Sequence, residues 1–412
     1  MVETITPDTE EDLRDIIADA LARETPLDII GGGSKSLLGR QTPQKLRVSL
    51  SLLSDITLYE PEELVMTAGA GASLAKINEL LTRHGQHLAF EPPDWRALLG
   101  EEESGAQTIG GVIACNLSGP RRLAAGAARD HFLGVRAVSG RGEVFKSGGR
   151  VVKNVTGYDM CKLLAGSYGT LAAMAEVTFK VLPVGEKLRS LLMFGLDDAA
   201  AVKALGDALQ SPFEISAAAH LPRHMAAASG VGYVRDAGAS VTAIRIEGHG
   251  PSVDARLASL RELLGGSGEI EELHRHNSAA LWREIGNADY FAGPGDRDRA
   301  IWRLSVPPAS AAGTVAAIIG QMDARAFYDW GGGLIWVSVA ERDDAGQDAI
   351  RAAIAPQGGH ATLIRAGAPI RARADVFHPQ PAGLAALSAR IKDSFDPAGI
   401  LNPGRMYAEP RL

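Results

Sequence analysis

The sequence predicts an α+β protein of more than one domain, and three observations carry that reading. Apolar, strand-like segments feed straight into glycine turns, first at Ile30-Gly31-Gly32-Gly33 and again at Thr108-Ile109-Gly110-Gly111. Beyond Pro183 and Gly185 the texture changes. Leu188 to Phe194, Val241 to Glu247 and Ala300 to Val306 each read as a strand that leads through Gly, Asp or Pro into an Ala/Leu-rich helix, as expected of helices laid on an antiparallel sheet. A chain of 412 residues, 46% hydrophobic and 22% charged, has the size and composition for two or three soluble domains.

Thr9 is placed to cap an opening helix in which Leu13, Ile16, Ile17, Ala20 and Leu21 recur on one face until Pro26 ends the pattern. Leu27 to Ile30 is a short buried strand entering the first glycine loop. Strands follow at Leu46 to Leu50, Ile56 to Tyr59 and Leu64 to Gly69. Ser73 then caps a helix that turns Leu74, Ile77, Leu80 and Leu81 inward and stops at Gly85. From Phe132 to Leu182, strand-like segments such as Gly142 to Phe145 and Val177 to Val181 alternate with a helix around Tyr158 to Leu164, for which Asn154 or Thr156 serves as cap. After the second region, an amphipathic helix from Leu384 to Ile391 precedes a turn-rich tail, Asp396 to Arg405. The expected division is 1–185, 186–370 and 371–412.

A net charge of -7 provides no broad positive field for nucleic acid. Two cysteines, Cys115 and Cys161, are too few for a disulfide framework or an iron–sulfur cluster, and both sit among apolar residues as small buried side chains. The first thirty residues are acidic and do not read as a signal peptide. No uncharged apolar run approaches the roughly 20 residues that span a bilayer. The cytoplasm is therefore the default location, and membrane contact is left to a partner.

Glycine matters where main chain must approach a ligand closely. Gly31 to Lys35 follows a strand and can turn its N–H groups toward a pyrophosphate. It is not a Rossmann fingerprint, because Gly31, Gly33 and Ser36 do not fill G-x-G-x-x-G and Pro43 interrupts the helix that would face the phosphates. A plain turn is the alternative. Thr108 to Gly111 and Asn116-Leu117-Ser118-Gly119 could let a flat ring and a phosphate chain lie against the backbone, or could be a glycine-rich helix start packed on a sheet. Lys153-Asn154-Val155-Thr156-Gly157-Tyr158-Asp159 stands at a turn into a helix, where Lys153 and Tyr158 are ligand-site or surface groups.

Taken in order, Gly31 to Gly39, Glu91-Pro92-Pro93, Thr108 to Asn116, Ser118-Gly119-Pro120-Arg121-Arg122, the Lys153 segment, Gly166-Ser167-Tyr168-Gly169-Thr170-Leu171 and Phe395 to Arg405 resemble one family. It is the vanillyl-alcohol-oxidase type of FAD-binding protein, also called the PCMH type, and within it the FAD-binding, GlcE-type subunits of bacterial glycolate oxidases. The resemblance runs through both ends and more loosely through the middle. It implies an FAD-binding domain of two α+β subdomains, an α+β cap with an antiparallel sheet, and a tail that returns from the cap to the flavin domain. It also implies FAD contacts at Gly31, Gly32, Gly33, Ser34, Lys35, Leu38, Gly39 and Pro92, at Thr108, Ile109, Gly110 and Gly111, and at Asn116, Leu117, Ser118 and Gly119. Further contacts are implied at Gly126, Arg129, Asp130, Ala173, Glu176, Val177 and Asn402. Pro403 is expected to hold Asn402 extended, with its amide near the isoalloxazine. No histidine lies in the first glycine loop or between Ser118 and Asp130, so the FAD is expected to be noncovalent.

Oxidising a 2-hydroxy acid needs a cation for the carboxylate, a base for the hydroxyl proton and a carbon hydrogen aimed at flavin N5. Residues of the right type lie in the second region and the tail. They are Arg303, which shares a strand face with Ser305; Trp330 beside Gly331 to Gly333; His360 after Gly358-Gly359; and His378 after Phe377. Arg303 is expected to anchor the carboxylate and His360 or His378 to act as base or polariser. The alternative pairs Arg303 with a cap carboxylate and leaves the histidines at the surface. Freestanding relatives carry a His-x-Gly-Asp-Gly-Asn-x-His metal motif that is absent here, and His220, His224, His274 and His276 form no convincing ligand set, so no metal is expected. The resemblance implies glycolate or D-lactate as substrate, a second flavoprotein subunit and an iron–sulfur subunit as partners, and a quinone as final acceptor, with the complex at the inner membrane. A freestanding D-lactate dehydrogenase-like enzyme and a flavin relay that binds no substrate stay open as alternatives.

Overall fold

Three larger sheets, with a two-stranded pairing of Gln86–His87 and Leu182–Pro183 beside them, organise the chain in a computed structural model that describes residues 3–42, 46–101, 104–150, 157–266, 268–340 and 342–408. Pro43, Lys153, Asn154 and Thr156 lie outside the described residues. At the front, Glu3–Ile5, Leu46–Ser49 and Leu27–Ile30 form a parallel sheet in that order. The helix Glu10–Ala22 starts at Thr9, whose hydroxyl accepts from the Asp12 N–H at 3.1 Å while the Asp12 carboxylate accepts from the Thr9 N–H at 3.0 Å, a reciprocal cap. Leu13, Ile17 and Ala20 are its buried stripe, packed with Val48, Val138 and Leu401.

The second sheet is antiparallel, in the order Ile56–Glu60, Val65–Gly69, Ala172–Lys180, Phe132–Ser139, Val144–Gly148. Its last strand begins beyond the expected Gly142, because Gly142 holds a left-handed turn with φ 70°. The following helix, Met160–Leu164, is capped by Asp159, whose Oδ1 accepts from the Lys162 N–H at 3.1 Å. Asp159 therefore does the work expected of Asn154 or Thr156.

All eight strands of the third sheet lie between Lys187 and Arg365 and pair antiparallel. Side chains alternate across it, as the period of two requires. Leu191 and Met193 pack under the helices Asp198–Leu209 and Gly250–Leu264 with Leu205 and Leu257. Leu192, between them, joins a core with Phe90, Trp95 and Phe132 of the front half. One face of this sheet is thus covered by those two helices, and the other by the helix Arg275–Asn287 together with the front half of the chain.

The tail returns to the front. Leu401 bridges Leu27, the Leu27 N–H donates to Ile400 O at 2.8 Å and the Asn402 N–H donates to Leu27 O at 3.0 Å. The helix before it runs from Ala382 to Phe395, longer than expected and without a buried residue. Its apolar side chains Leu384 and Leu387 are 49% and 45% exposed, while Ile391 and Phe395 rest part-buried on the front core.

The halves are joined by charge as well as apolar contact. Arg245, 1% exposed, donates from Nη1 and Nη2 to the two Glu91 oxygens at 3.0 and 2.9 Å, and Arg121 pairs with Glu247 at 2.7 Å. Burial disfavours the Glu247 charge, but Arg245 and Arg121 hold its carboxyl below the usual range. A group depressed in this way adds stability above its unfolded pKa and loses it as pH falls through the folded value. Arg245→Met leaves Glu91 and Glu247 with one cation between them and is expected to cost about 3–5 kcal/mol, more than Glu91→Gln. Urea unfolding of both variants at pH 7 and again below pH 4 checks the order, and the gap between them and the parent should narrow in acid.

Candidate functional site

The strand Leu27–Ile30 ends in a loop whose five consecutive main-chain N–H groups, Gly31 to Lys35, have no hydrogen-bond acceptor among the described residues. Unpaired amides in series form a concavity for an anion. A Cβ on Gly31 would stand 2.1 Å from Thr108 Oγ1, and one on Gly32 would stand 2.0 Å from Ala106 O. These two glycines therefore let the loop lie directly on the segment before the second glycine turn. Gly33 has φ 85°, and Ser36 Oγ donates to its carbonyl at 2.7 Å, which closes the turn. Ser34 is 5% exposed and its hydroxyl accepts from Lys35 Nζ at 3.2 Å. Burial pushes the Lys35 ammonium down to about 8, as expected of a cation held without a carboxylate partner.

The loop forms one wall of a cleft with an open volume of about 680 Å³. Ala70, Thr108, Gly110, Gly111, Ala114 and Cys115 form the wall opposite, while Tyr168, Gly169, Ala172, Met174, Asn402 and Arg405 close the end. The second wall belongs to the helix Ile109–Ala114, capped by Thr108 through the Gly111 N–H at 3.3 Å. A Cβ on Gly110 would lie 2.6 Å from the Ala70 side chain. A row of free amides, a buried ammonium and glycine-flattened walls fit a dinucleotide cofactor with a pyrophosphate.

Of the residues singled out in the sequence, Gly31, Gly32, Gly33, Ser34, Lys35, Thr108, Gly110, Gly111 and Asn402 line this cleft. Ile109, Leu117 and Leu38 are packed in the core behind it. Gly39, with φ 79°, abuts Arg405. Asn116, Ser118, Gly126, Arg129 and Asp130 belong to a neighbouring loop stitched by its own bonds. There, Asn116 Oδ1 accepts from the Arg129 N–H at 3.0 Å, Ser118 Oγ from the Ala128 N–H at 2.9 Å and Asp130 Oδ2 from the Ala127 N–H at 2.8 Å. Pro92 and Gly119 sit outside the cleft, and Gly119 has the Glu91 carbonyl 2.4 Å from where a Cβ would be. On the strand Ala172–Lys180 the residues singled out in the sequence are not those that line the cleft. Ala172 and Met174 line the cleft, Ala173 turns into the core on the other side, Glu176 accepts from Thr57 Oγ1 at 2.8 Å and Val177 is fully buried. Alternation along a strand sends neighbours to opposite faces.

Asn402 departs from its expected conformation. Its φ is 43°, left-handed rather than extended, which asparagine tolerates when its side chain finds local partners. Oδ1 accepts from the Ile29 N–H at 2.7 Å and Nδ2 donates to Tyr168 O at 2.8 Å. The amide is thus committed to joining the first strand to the Tyr168 turn, at the edge of the cleft.

Tyr168 continues from the cleft toward a cluster of charges. Its φ is 55° and its ring meets Phe377 edge-on at 5.0 Å. Nearby, Arg303 projects from the strand Ala300–Ser305, and the register places Thr362 opposite Arg303 and His360 opposite Ser305. The Arg303 side chain makes no hydrogen bond or ion pair among the described residues, and its Nε is buried without a partner. Burial and the like charge of Arg122 push its guanidinium down to about 10, against the pull of Tyr168 and Asp329. Both Arg303 and Arg122 lie over the ring of Trp330, at 4.9 and 4.4 Å from its centroid. Trp330 is itself strained at φ 51° and fixed by Nε1 donating to Gly119 O at 3.1 Å. Next to it, burial pushes the Asp329 carboxyl up to about 7 although the Trp330 N–H, Arg245 and Arg303 all favour its charge. His360 is exposed and lowered by desolvation and by Arg303, His378 and Arg122; His378 is lowered by desolvation and Arg351. Arg303 and His378 are thus near enough to His360 for their charges to act on it, while no hydrogen bond joins the three.

Reasoning from sequence passed over Tyr168, Arg122, Asp329 and Met174 as site residues. Tyr168 and Arg122 stand inside motifs that carry the family resemblance, but neither side chain was given a role. Among the described residues there is no grouping of three or more His, Cys, Asp or Glu that could hold a metal ion, and no helix long and apolar enough to cross a membrane.

Removing the Asn402 amide leaves the Ile29 N–H and the Tyr168 carbonyl unpaired. Asn402→Ala is expected to cost about 1–3 kcal/mol and to lower the melting temperature of the protein, measured by differential scanning calorimetry.

Comparison with known proteins bears on all of this geometry. An FAD binding domain model matches residues 3–148. The chain is 35% identical over 410 residues to the glycolate oxidase subunit GlcE of Escherichia coli (strain K12), covering 98% of both chains. Over 180 residues, 43% of this chain and 38% of the other, it is 32% identical to a D-lactate dehydrogenase of Archaeoglobus fulgidus. Its fold superposes on p-cresol methylhydroxylase with a TM-score of 0.70 at 14% identity, covering 98% of this chain and 88% of that one. Full-length identity, the FAD domain and the shared fold together place this chain in the GlcE family of FAD-binding oxidoreductases, on a PCMH-type fold.

Proposed function

We propose that this chain is the FAD-carrying subunit of a complex that oxidises glycolate, or a close 2-hydroxy acid, to the corresponding 2-oxo acid. One observation carries the reading: a full-length match to a glycolate oxidase subunit falls on a chain whose anion-ready cleft leads past Tyr168 to an unpaired arginine. Residues 1–185 and 371–412 would hold the cofactor, with 186–370 as the cap.

The Gly31 to Lys35 amides, the Ser34 hydroxyl and the Lys35 ammonium hold the pyrophosphate without a covalent bond. Thr108 to Gly111 and the Asn116 to Asp130 loop bring main chain toward the rest of the cofactor. Bound FAD supplies a two-electron acceptor. Arg303 takes the substrate carboxylate, because a planar guanidinium can donate two parallel charge-assisted bonds. His360 or His378, kept neutral by its lowered pKa, accepts the proton of the substrate hydroxyl. With two cysteines in the whole chain, electrons leave through partners, for which an iron–sulfur subunit and a second flavoprotein subunit are the reading, with a quinone beyond them. The complex then works in the cytoplasm, peripheral at the inner membrane.

Two measurements test this. In the reconstituted complex, Arg303→Lys and His378→Gln should each lower glycolate turnover at least about tenfold, through Michaelis constant and rate constant respectively; parental values in both place the chemistry in the partner flavoprotein. For the cofactor, the protonated form of Lys35 binds phosphate, so FAD affinity should weaken as pH rises through about 8. Lys35→Met should lose about tenfold or more in affinity at pH 7 and flatten that profile, and Lys35→Arg should retain affinity at high pH. Fluorescence titration of the apoprotein with FAD reads all three.

A further inference from the structure

Arginines in this molecule are generally matched. Arg245 has Glu91, Arg121 has Glu247, Arg405 has Asp28, and Arg365 donates to the Leu98 and Phe291 carbonyls. The exposed Arg223, Arg275, Arg283, Arg297 and Arg390 also lack side-chain partners among the described residues, but Arg122 and Arg303 differ from them in meeting over one ring. Neither has a side-chain hydrogen bond or an ion pair among the described residues, and each lies within 5 Å of the same indole centroid. The two guanidinium carbons are therefore at most 9.3 Å apart, the sum of 4.4 and 4.9 Å.

Two like charges held on one ring repel, and an aromatic face offsets only part of that cost. Asp130 acts on Arg122 and Asp329 on Arg303 to favour the charge, yet neither carboxylate forms an ion pair with its arginine, and Asp329 Oδ1 accepts instead from the Trp330 N–H at 2.7 Å. The arrangement is also built from both halves of the chain. Arg122 comes from the helix Arg122–Ala125 that follows Gly119, and Arg303 comes from the eight-stranded sheet. The two are fixed relative to each other because Trp330 Nε1 donates to Gly119 O. Arg122 is exposed and Arg303 is half-buried, so positive charge runs from the surface inward along one indole.

We propose that Arg122 is a second carboxylate-binding residue, which with Arg303 forms a cationic clamp for small 2-hydroxy carboxylates on the platform of Trp330. This rests on the reading that the substrate binds in this chain. Arg122 meets the incoming anion at the mouth, and its charge adds to that of Arg303 once the carboxylate is seated. The bound anion removes the repulsion between the two guanidiniums, so each arginine raises the value of the other.

The test uses the full-length, FAD-loaded chain with oxalate, a dicarboxylate that carries no hydrogen to give up and so reports binding alone. Isothermal titration calorimetry on the parent, Arg122→Met, Arg303→Met and the double variant should show affinity lowered about tenfold or more by either single change. The double variant should lose less than the product of the two. Arg122→Lys should recover part of the loss, and the parent's affinity should fall more steeply with added salt than that of Arg122→Met. Flavin content and melting temperature equal to the parent's establish that Arg122→Met is folded. Parental oxalate affinity in folded Arg122→Met overturns the proposal. If Arg303→Met weakens binding while Arg122→Met does not, the proposal falls and the proposed function stands. If the parent binds no oxalate and the complex turns over glycolate equally with Arg303→Met, the substrate belongs to the partner and both fall.

Discussion

The pairing of Arg245 with Glu91 is the constraint on which the rest of the architecture depends. A guanidinium 1% exposed within a sheet is stable only when its charge is answered. Burial works against Arg245, but Glu91 and Glu247 more than offset it and hold its pKa above the ordinary value. Glu91 sits at the turn before Pro92 with φ 45°. The main chain leaving that turn fixes Trp95, whose indole donates to Gly286 O at 3.1 Å and meets Trp336 edge-on at 5.3 Å. One ion pair thereby sets how the eight-stranded sheet lies on the front half, and with it where Arg303 stands relative to the cleft.

The cleft depends on close main-chain approach. Gly31 and Gly32 rest on Thr108 and Ala106, Gly110 on Ala70, and Gly105 on Gly32, each at a distance no Cβ would allow. What remains open on the cleft side is polar backbone and one ammonium. The apolar floor comes from Ala172 and Met174, small enough or flexible enough to leave the space clear. The cleft thus offers unpaired main-chain amides and one ammonium at the end where the Gly31 to Lys35 loop stands.

Much of this was legible in the sequence. The strand Leu27–Ile30, the Thr9 and Ser73 caps and the strand-to-helix units of the second region follow local rules, and the structure keeps them. The errors arise where a non-local contact overrides a local preference. Asn402 precedes a proline, yet bonds to Ile29 and Tyr168 hold it left-handed. Ala173 reads as well as Ala172 until the strand's neighbours fix its register. The helix Ala382–Phe395 rests on the front core only through its last turns, by Ile391 and Phe395, and leaves Leu384 and Leu387 exposed. Within the candidate site, Arg303, His360 and His378 were reachable from residue type. Arg122 was not, because its significance arises only when the indole of Trp330, distant in sequence, is laid beneath it.

Gly119 shows how tightly these parts are bound to one another. Its N–H donates to Phe90 O at 2.9 Å, its carbonyl receives the Trp330 indole, and the Glu91 carbonyl occupies the place of a side chain. Any larger residue there would displace Glu91 from Arg245, Trp330 from its anchor and the Arg122 helix from its start in one step. A position that serves three unrelated contacts has almost no neutral substitutions available, so the evolutionary freedom of this site lies in the side chains around Gly119, while the site's frame passes unchanged through a single hydrogen atom.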